Sequence, residues 1–195
     1  MILPIIAYGD PVLRKKCSDI AKDYTNLNDL LKNMWETMYN ANGVGLAAPQ
    51  IGLPIRIFLI DTTQMLDKGE KERKQFSVKE GETGIKKTFI NAKITKHIGD
   101  DWPYNEGCLS IPTVREDVVR QVAIDIEYFD ENFIKHNETY DGLAARVIQH
   151  EYDHIEGKLF TDHLKPLKKT LLKKKLEKIS KGKVDVDYRM KFPKK

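Results

Sequence analysis

Apolar residues recur at helical spacing in three stretches of this chain and alternate cleanly in a fourth. From Asn26 to Ala41, Leu27, Leu30, Leu31, Met34, Trp35 and Met38 form an i, i+3, i+4 stripe, which predicts an amphipathic helix. Asn26 or Asn28 is placed to cap its start, and Asn42-Gly43 supplies a stop. Ile55 to Asp61 is a short β-rich run that predicts a strand, and Thr88 to Ile98 predicts another. Gln121 to Asp130 alternates, with Val122, Ile124, Ile126 and Tyr128 on one face and Ala123, Asp125 and Glu127 on the other. Asp130-Glu131-Asn132 reads as a turn, from which Phe133 to Tyr140 returns as a hairpin partner. Asp141 then caps a helix through Leu143, Val147, Ile148 and Ile155, with Gly157 just past its end. From Leu164 onward, Leu167, Leu171, Leu172, Leu176 and Ile179 mark another amphipathic helix, which should dock by its leucines with its lysines outward. Gln64 to Lys87 is charged and aperiodic, and predicts a long loop or a partly ordered insertion.

Strands gathered ahead of one deeply placed helix predict an α+β fold: antiparallel sheets around that central helix, with an amphipathic helix at the C-terminus. A length of 195 residues suits one domain with a real core. Residues 1–163 would form its body, and 164–195 a basic helix and tail within the same domain or appended to it.

Charge sharpens that division. The net charge of +4 hides thirteen Lys or Arg against three acids from Leu164 to Lys195, so the body before it is acidic. No basic-flanked apolar segment resembles a leader, and no run approaches the length of a membrane span. Two cysteines, Cys17 and Cys108, are too few for a disulfide framework. The expectation is a cytoplasmic protein with no membrane contact, in a compartment that keeps thiols reduced.

The chemistry concentrates in Gln149-His150-Glu151-Tyr152-Asp153-His154, an H-E-x-x-H pattern on the predicted helix. Residues four apart share a helix face, so His150 and His154 can aim imidazoles at one metal ion, with Glu151 beside them as a base. A third ligand is needed. Downstream, Glu156, His163 and Glu177 are candidates; upstream, Glu106-Gly107-Cys108-Leu109-Ser110 offers a thiolate. A lone cysteine is otherwise most often a small buried apolar residue. Gly43-Val44-Gly45-Leu46-Ala47-Ala48-Pro49-Gln50 adds a glycine-rich turn that lets a backbone approach closely, and a neutral amide donor in Gln50.

G-V-G-L-A-A-P-Q, E-G-C-L-S and Q-H-E-Y-D-H, in that order, closely resemble the three signature motifs of the peptide deformylase family. The resemblance runs from about Met1 to Leu164 and includes Tyr8-Gly9-Asp10-Pro11-Val12-Leu13-Arg14. It implies removal of the formyl group from the N-terminal formyl-methionine of nascent polypeptides, releasing formate. By the same resemblance Cys108, His150 and His154 hold one divalent metal, with Fe²⁺ expected and Zn²⁺ or Ni²⁺ as alternative occupants. Glu151 is the proton acceptor, and the Gln50 amide and Leu109 N–H hold the oxyanion. Val44, Gly45 and Gly107 pair with the substrate backbone as with an added strand. Gly43, Glu106, Leu143 and Val147 line the methionine pocket, although ordinary packing explains Leu143 and Val147 equally well. Arg115 stands near the peptide mouth, or is a solvated surface arginine. Arg146 makes a structural ion pair.

Two other classes of function compete. A general zinc endopeptidase would take its third ligand from beyond the helix and leave E-G-C-L-S without a role. A catalytically dead binding module would dock through its lysine-rich helix. Under the deformylase reading itself, the same basic helix is a candidate for weak electrostatic contact with ribosomal RNA near the nascent-chain exit. For the deformylase reading a monomer is expected.

Overall fold

The computed structural model describes residues 1–66 and 83–193. Its main sheet has five antiparallel strands in the order β2-β3-β4-β5-β6: β2 (Gly45–Ala47), β3 (Ile57–Asp61), β4 (Lys86–Cys108), β5 (Ile111–Phe129) and β6 (Lys135–Asp141). A second, two-stranded sheet joins β1 (Ile5–Ile6) to β7 (Met190–Lys191), and here the pairing is parallel. The fold is α+β, as expected; the small sheet departs from the expected antiparallel arrangement because its two strands come from opposite ends of the chain.

β3 explains how the layers stack. Its side chains are buried on both faces: Phe58 and Ile60 pack with Phe89, Ile124, Val147 and Ile148, whereas Ile57 and Leu59 pack with Leu31, Met34 and Met38. Helix α1 (Leu27–Asn40) supplies the second of these groups. It starts at Asn26, whose side chain makes no capping bond and whose φ is +58°. It ends as the sequence suggests. Asn42, at φ +54°, donates to the Tyr39 carbonyl and Gly43 to the Met38 carbonyl, closing the helix with a left-handed residue.

Helix α3 (Gly142–Ile155) covers the other face, and all of its residues except His150 and Tyr152 are buried. Asp141 holds the N-cap position, although its side chain makes no capping bond there. At the far end Gly157 takes φ +72°, with Gly157 N donating to His154 O and Lys158 N to Asp153 O. A side chain at 157 would collide with the Arg14 carbonyl, its Cβ 2.6 Å from that oxygen, so glycine is required twice over.

Strands β4 and β5 are far longer than their alternation predicts. β4 continues through Gly99 and Pro103 to Cys108, and β5 starts ten residues before Gln121. Gly99 takes φ +78° inside a register shift between Ile98 and Asp101, so it bends the strand without ending it. The pair closes in a tight turn at Leu109-Ser110, with Cys108 opposite Ile111. Within Gln64 to Lys87, residues 64–66 belong to the short helix α2 (Thr63–Leu66) and Lys86 opens β4; residues 67–82 lie outside the described residues.

Helix α4 (Pro166–Ser180) is less amphipathic in place than on paper. Leu176 and Ile179 enter a core with Ile6, Leu13, Val118 and Phe160, but Leu167 and Leu171 are exposed. The first turn of α4 is held to the body by polar contacts, Lys168 to Glu116 and Lys169 to the Asp162 carbonyl, each at 2.8 Å, while Leu172, Leu176 and Ile179 make its apolar ones. Among the described residues no helix is long and apolar enough to cross a membrane.

Candidate metal centre and substrate cavity

The two-residue turn between β4 and β5 carries Cys108 to the side of α3 that holds His150 and His154. The ligand atoms of these three residues lie within 4.8 Å of one another, with Cys108 Sγ 3.3 Å from His154 Nε2. The downstream alternatives are engaged elsewhere. Glu156 pairs with Arg56 at 2.6 Å, His163 Nε2 contacts Asp153 at 2.7 Å, and Glu177 pairs with Lys181 on the surface. A thiolate and two imidazoles drawn from a helix and a strand turn are a donor set suited to one borderline-soft divalent ion. Burial would push the Cys108 thiol up, but the His154 and His150 imidazoles outweigh it and bring the thiol down to about 5.

Glu106 organises the other side of the cluster. Its Oε2 faces His150 Nδ1 at 2.9 Å, which leaves His150 Nε2 to face Cys108. Its Oε1 accepts from Arg120 Nε at 2.7 Å and from Arg146 Nη1 at 2.9 Å. Arg120 also reaches Asp153 at 2.7 Å. Desolvation works against a charged Glu106, but His150 and Arg120 hold its carboxyl below the usual carboxylate range. This carboxylate lines the cavity and is spent on orienting a ligand. Removing one partner from such a buried network costs about 3–5 kcal/mol, since the others stay buried and charged.

Glu151 has no such partners. Its carboxyl is buried, Oε2 has no hydrogen-bond partner, and burial raises it to about 7. Gly45 makes room for it: a Cβ on residue 45 would stand 2.8 Å from Glu151 Cδ. Gln50 lies on a 3-10 turn after β2, wholly buried, with Oε1 accepting from Ala47 N at 2.8 Å. That bond settles which end of the amide faces the cluster. Nε2 points at Ser110 Oγ, 3.3 Å, and at Cys108 Sγ, 3.5 Å.

Gln50, Glu106, Cys108, His150 and Glu151 line a cavity of about 610 Å³. Gly43, Val44, Gly45, Gly107, Leu109, Arg115 and Val147 all border it, and β2 is an edge strand of the main sheet. Arg115 stands at the rim, exposed, bonded to the Asn105 side chain and carbonyl at 2.9 and 2.6 Å. Arg146 borders the cavity but is buried, pairing with Glu106 and with the Val118 and Trp102 carbonyls, as its expected ion-pair role implies. Leu143 is placed elsewhere. It is buried in the core with Phe58 and Val147, one helical turn further from the ligand histidines than Val147 is.

Sequence reasoning missed several residues here. Ser110 sits inside a motif that was recognised but was given no role. Arg120 falls where the alternation of β5 is broken by a buried charge. Asp185, Val186, Asp187 and Tyr188 also border the cavity, from a tail with no pattern to mark them.

Comparisons with known proteins point to one family. The family model described as polypeptide deformylase matches residues 2–170. A peptide deformylase of Christiangramia forsetii is 62% identical over 193 residues, covering 99% of this chain and 97% of that protein. The crystal structure of a peptide deformylase from Legionella pneumophila aligns with TM-score 0.76 at 35% identity, over 94% of this chain and 98% of that one. A plant peptide deformylase structure aligns with TM-score 0.79 at 32% identity, over 93% and 90%.

Proposed function

The chain belongs to the polypeptide deformylase family and removes the formyl group from nascent polypeptides, and we propose which of its residues carry each part of that reaction. The observation that carries the proposal is the convergence of Cys108, His150 and His154 beside a buried, partnerless Glu151 carboxylate oxygen.

Cys108, His150 and His154 would hold one divalent ion from the central helix α3 and the β4–β5 turn. Fe²⁺ is the ion proposed for the working enzyme, with Zn²⁺ or Ni²⁺ able to occupy the same donors. When bound, the ion supplies Lewis acidity and lowers the pKa of nearby water. Glu151 takes a proton at its carboxylate from the attacking water. Held near 7 by burial, it then returns that proton to the leaving amine nitrogen, giving formate and a free N-terminus. The Gln50 Nε2 amide and the Leu109 N–H would hold the developing oxyanion. Gln50 is suited to this because Ala47 N fixes its amide before substrate arrives.

The formyl-methionine peptide would lie along β2, pairing with Val44 and Gly45 on one side and Gly107 on the other. Its first side chain would enter the space bordered by Gly43 and Val147, with Leu143 acting behind Val147 as packing. The chain would work as a monomer in the cytoplasm. Residues 164–195 would belong to the same domain as 1–163, since Leu176 and Ile179 share a core with Ile6 and Leu13. The exposed lysines of α4 would give weak electrostatic contact with ribosomal RNA.

One experiment tests the assignment. Wild-type and Glu151→Gln proteins are loaded without air with Fe²⁺ or Zn²⁺, and metal content and formate release from formyl-Met-Ala-Ser are measured. Glu151→Gln is expected to keep one metal per chain and lose about 10²–10⁴-fold in kcat, with the wild-type iron form faster than the zinc form. A variant without metal, or one with near wild-type turnover, removes the assignment.

A further inference from the structure

The β4–β5 turn is tied down at several points, one of them between two motif residues and the others to residues outside the three motifs. The Ser110 carbonyl accepts from Tyr8 N at 2.8 Å, and the Ser110 hydroxyl meets Gln50 Nε2 at 3.3 Å. The remaining carbonyl of the turn, that of Leu109, accepts from the Tyr188 hydroxyl at 2.8 Å. Tyr188 comes from the far end of the chain. Its segment leaves α4 through Gly182, at φ +70°, and buries part of Val184 against the core. It then borders the substrate cavity from Asp185 to Tyr188 and enters β7. β7 is anchored by parallel pairing to β1, with Ile5 N donating to Arg189 O at 2.8 Å and Ala7 N to Lys191 O at 2.9 Å.

We propose that Tyr188 is a positioning residue for deformylation, fixing through the Leu109 carbonyl the turn whose Leu109 N–H receives the oxyanion. The inference rests on the reading of Leu109 given above. A peptide plane is rigid, so a bond to the Leu109 carbonyl sets ψ of Leu109, while β4 pairing holds the strand up to Cys108. With both sides held, the Leu109 N–H has one direction, and a donor fixed in advance needs no reorganisation when charge appears. Tyr188 is half-buried at the cavity wall, with its hydroxyl on the Leu109 carbonyl at 2.8 Å. The C-terminal segment is therefore part of the catalytic apparatus of this chain, at one remove from the reacting atoms.

Tyr188→Phe keeps the ring and deletes only the hydroxyl, which makes it the variant of choice. In the zinc-loaded full chain, kcat for formyl-Met-Ala-Ser should fall about tenfold, the effect of roughly one hydrogen bond's worth of orientation, with KM within twofold and metal content unchanged. The Leu109 amide ¹⁵N–¹H resonance gives a second readout. In the wild type it should shift when a peptide hydroxamate occupies the site, and in Tyr188→Phe it should broaden or move in the free protein. If the hydroxamate leaves the Leu109 resonance unmoved in the wild type, the oxyanion reading of Leu109 fails and this inference fails with it. If that resonance responds but Tyr188→Phe changes neither it nor kcat, the positioning role alone is overturned. A lower melting temperature with unchanged kcat would likewise make Tyr188 purely structural.

Discussion

Gly45 and Glu151 occupy adjoining space so closely that a single methyl group on residue 45 would overlap the Glu151 carboxyl, its carbon 2.8 Å from Cδ. Glycine is needed at this position for what stands opposite it rather than for a turn. Gly45→Ala should displace the carboxylate by about an ångström, and kcat should fall about 10²-fold with metal content preserved. Formate release and metal analysis on the purified variant check it. Activity within a few-fold of wild type would show that Glu151 has room to relax.

Outside the cavity lining, Glu138 on β6 accepts from Lys87 Nζ at 2.7 Å and from Tyr128 Oη at 2.7 Å, with Tyr140 also bonded to it. Desolvation opposes its charge, but Lys87, Tyr140 and Tyr128 bring it from 4.5 to about 2. A lowered carboxylate stabilises the fold fully above its unfolded pKa and loses that contribution as pH falls through the folded value. Wild type should therefore melt above Glu138→Gln at pH 6, and the gap should close between pH 4.5 and 2. The pair is partly solvated, so about 1 kcal/mol or less is expected, a gap of roughly 2–4 °C. A gap that is constant with pH would mean that Glu138 contributes nothing through its charge.

Deleting the basic region after His163 would be a poor test of ribosome docking, because it removes Leu176, Ile179 and β7 from the core and small sheet. Lys173, Lys174 and Lys178 are exposed on α4 and can be changed instead. The triple glutamine variant should bind ribosomes more weakly, with a salt slope shallower by about three, and should cleave a free formyl tripeptide at the wild-type rate. Sedimentation with ribosomes across a salt series measures this. Absence of binding at low salt leaves the lysines as solubilising surface.

The motifs carried the site in this sequence, and the reasons are local. His150, Glu151 and His154 are set by helix geometry alone, and α3 begins and ends within a residue or two of where Asp141 and Gly157 suggest. Cys108 joined them only through resemblance, since no spacing rule links a strand turn to a helix forty residues on. The lengths of β4 and β5 were hidden because their extensions obey a different rule. Arg120 is a charge buried because Glu106 and Asp153 neutralise it, and Gly99, just beyond the expected strand Thr88 to Ile98, bends the strand without ending it. Tyr188 left no trace at all. Its partner lies 79 positions away, and it sits in a bend ahead of β7, a strand of two residues that is too short for any alternation to declare itself.

The pairing of β1 with β7 also has a consequence in time. Those strands lie near the two ends of the chain, so their pairing closes a loop of nearly the whole polypeptide. Contacts that close so large a loop repay their entropy last. One wall of the cavity is thus expected to settle last, after the helix and hairpin that carry Cys108, His150 and His154. On refolding, recovery of turnover should trail recovery of far-ultraviolet circular dichroism; simultaneous recovery would place the zipping of the ends early. A chain halted shortly before Met190 would carry every signature motif and still present an open-sided cleft.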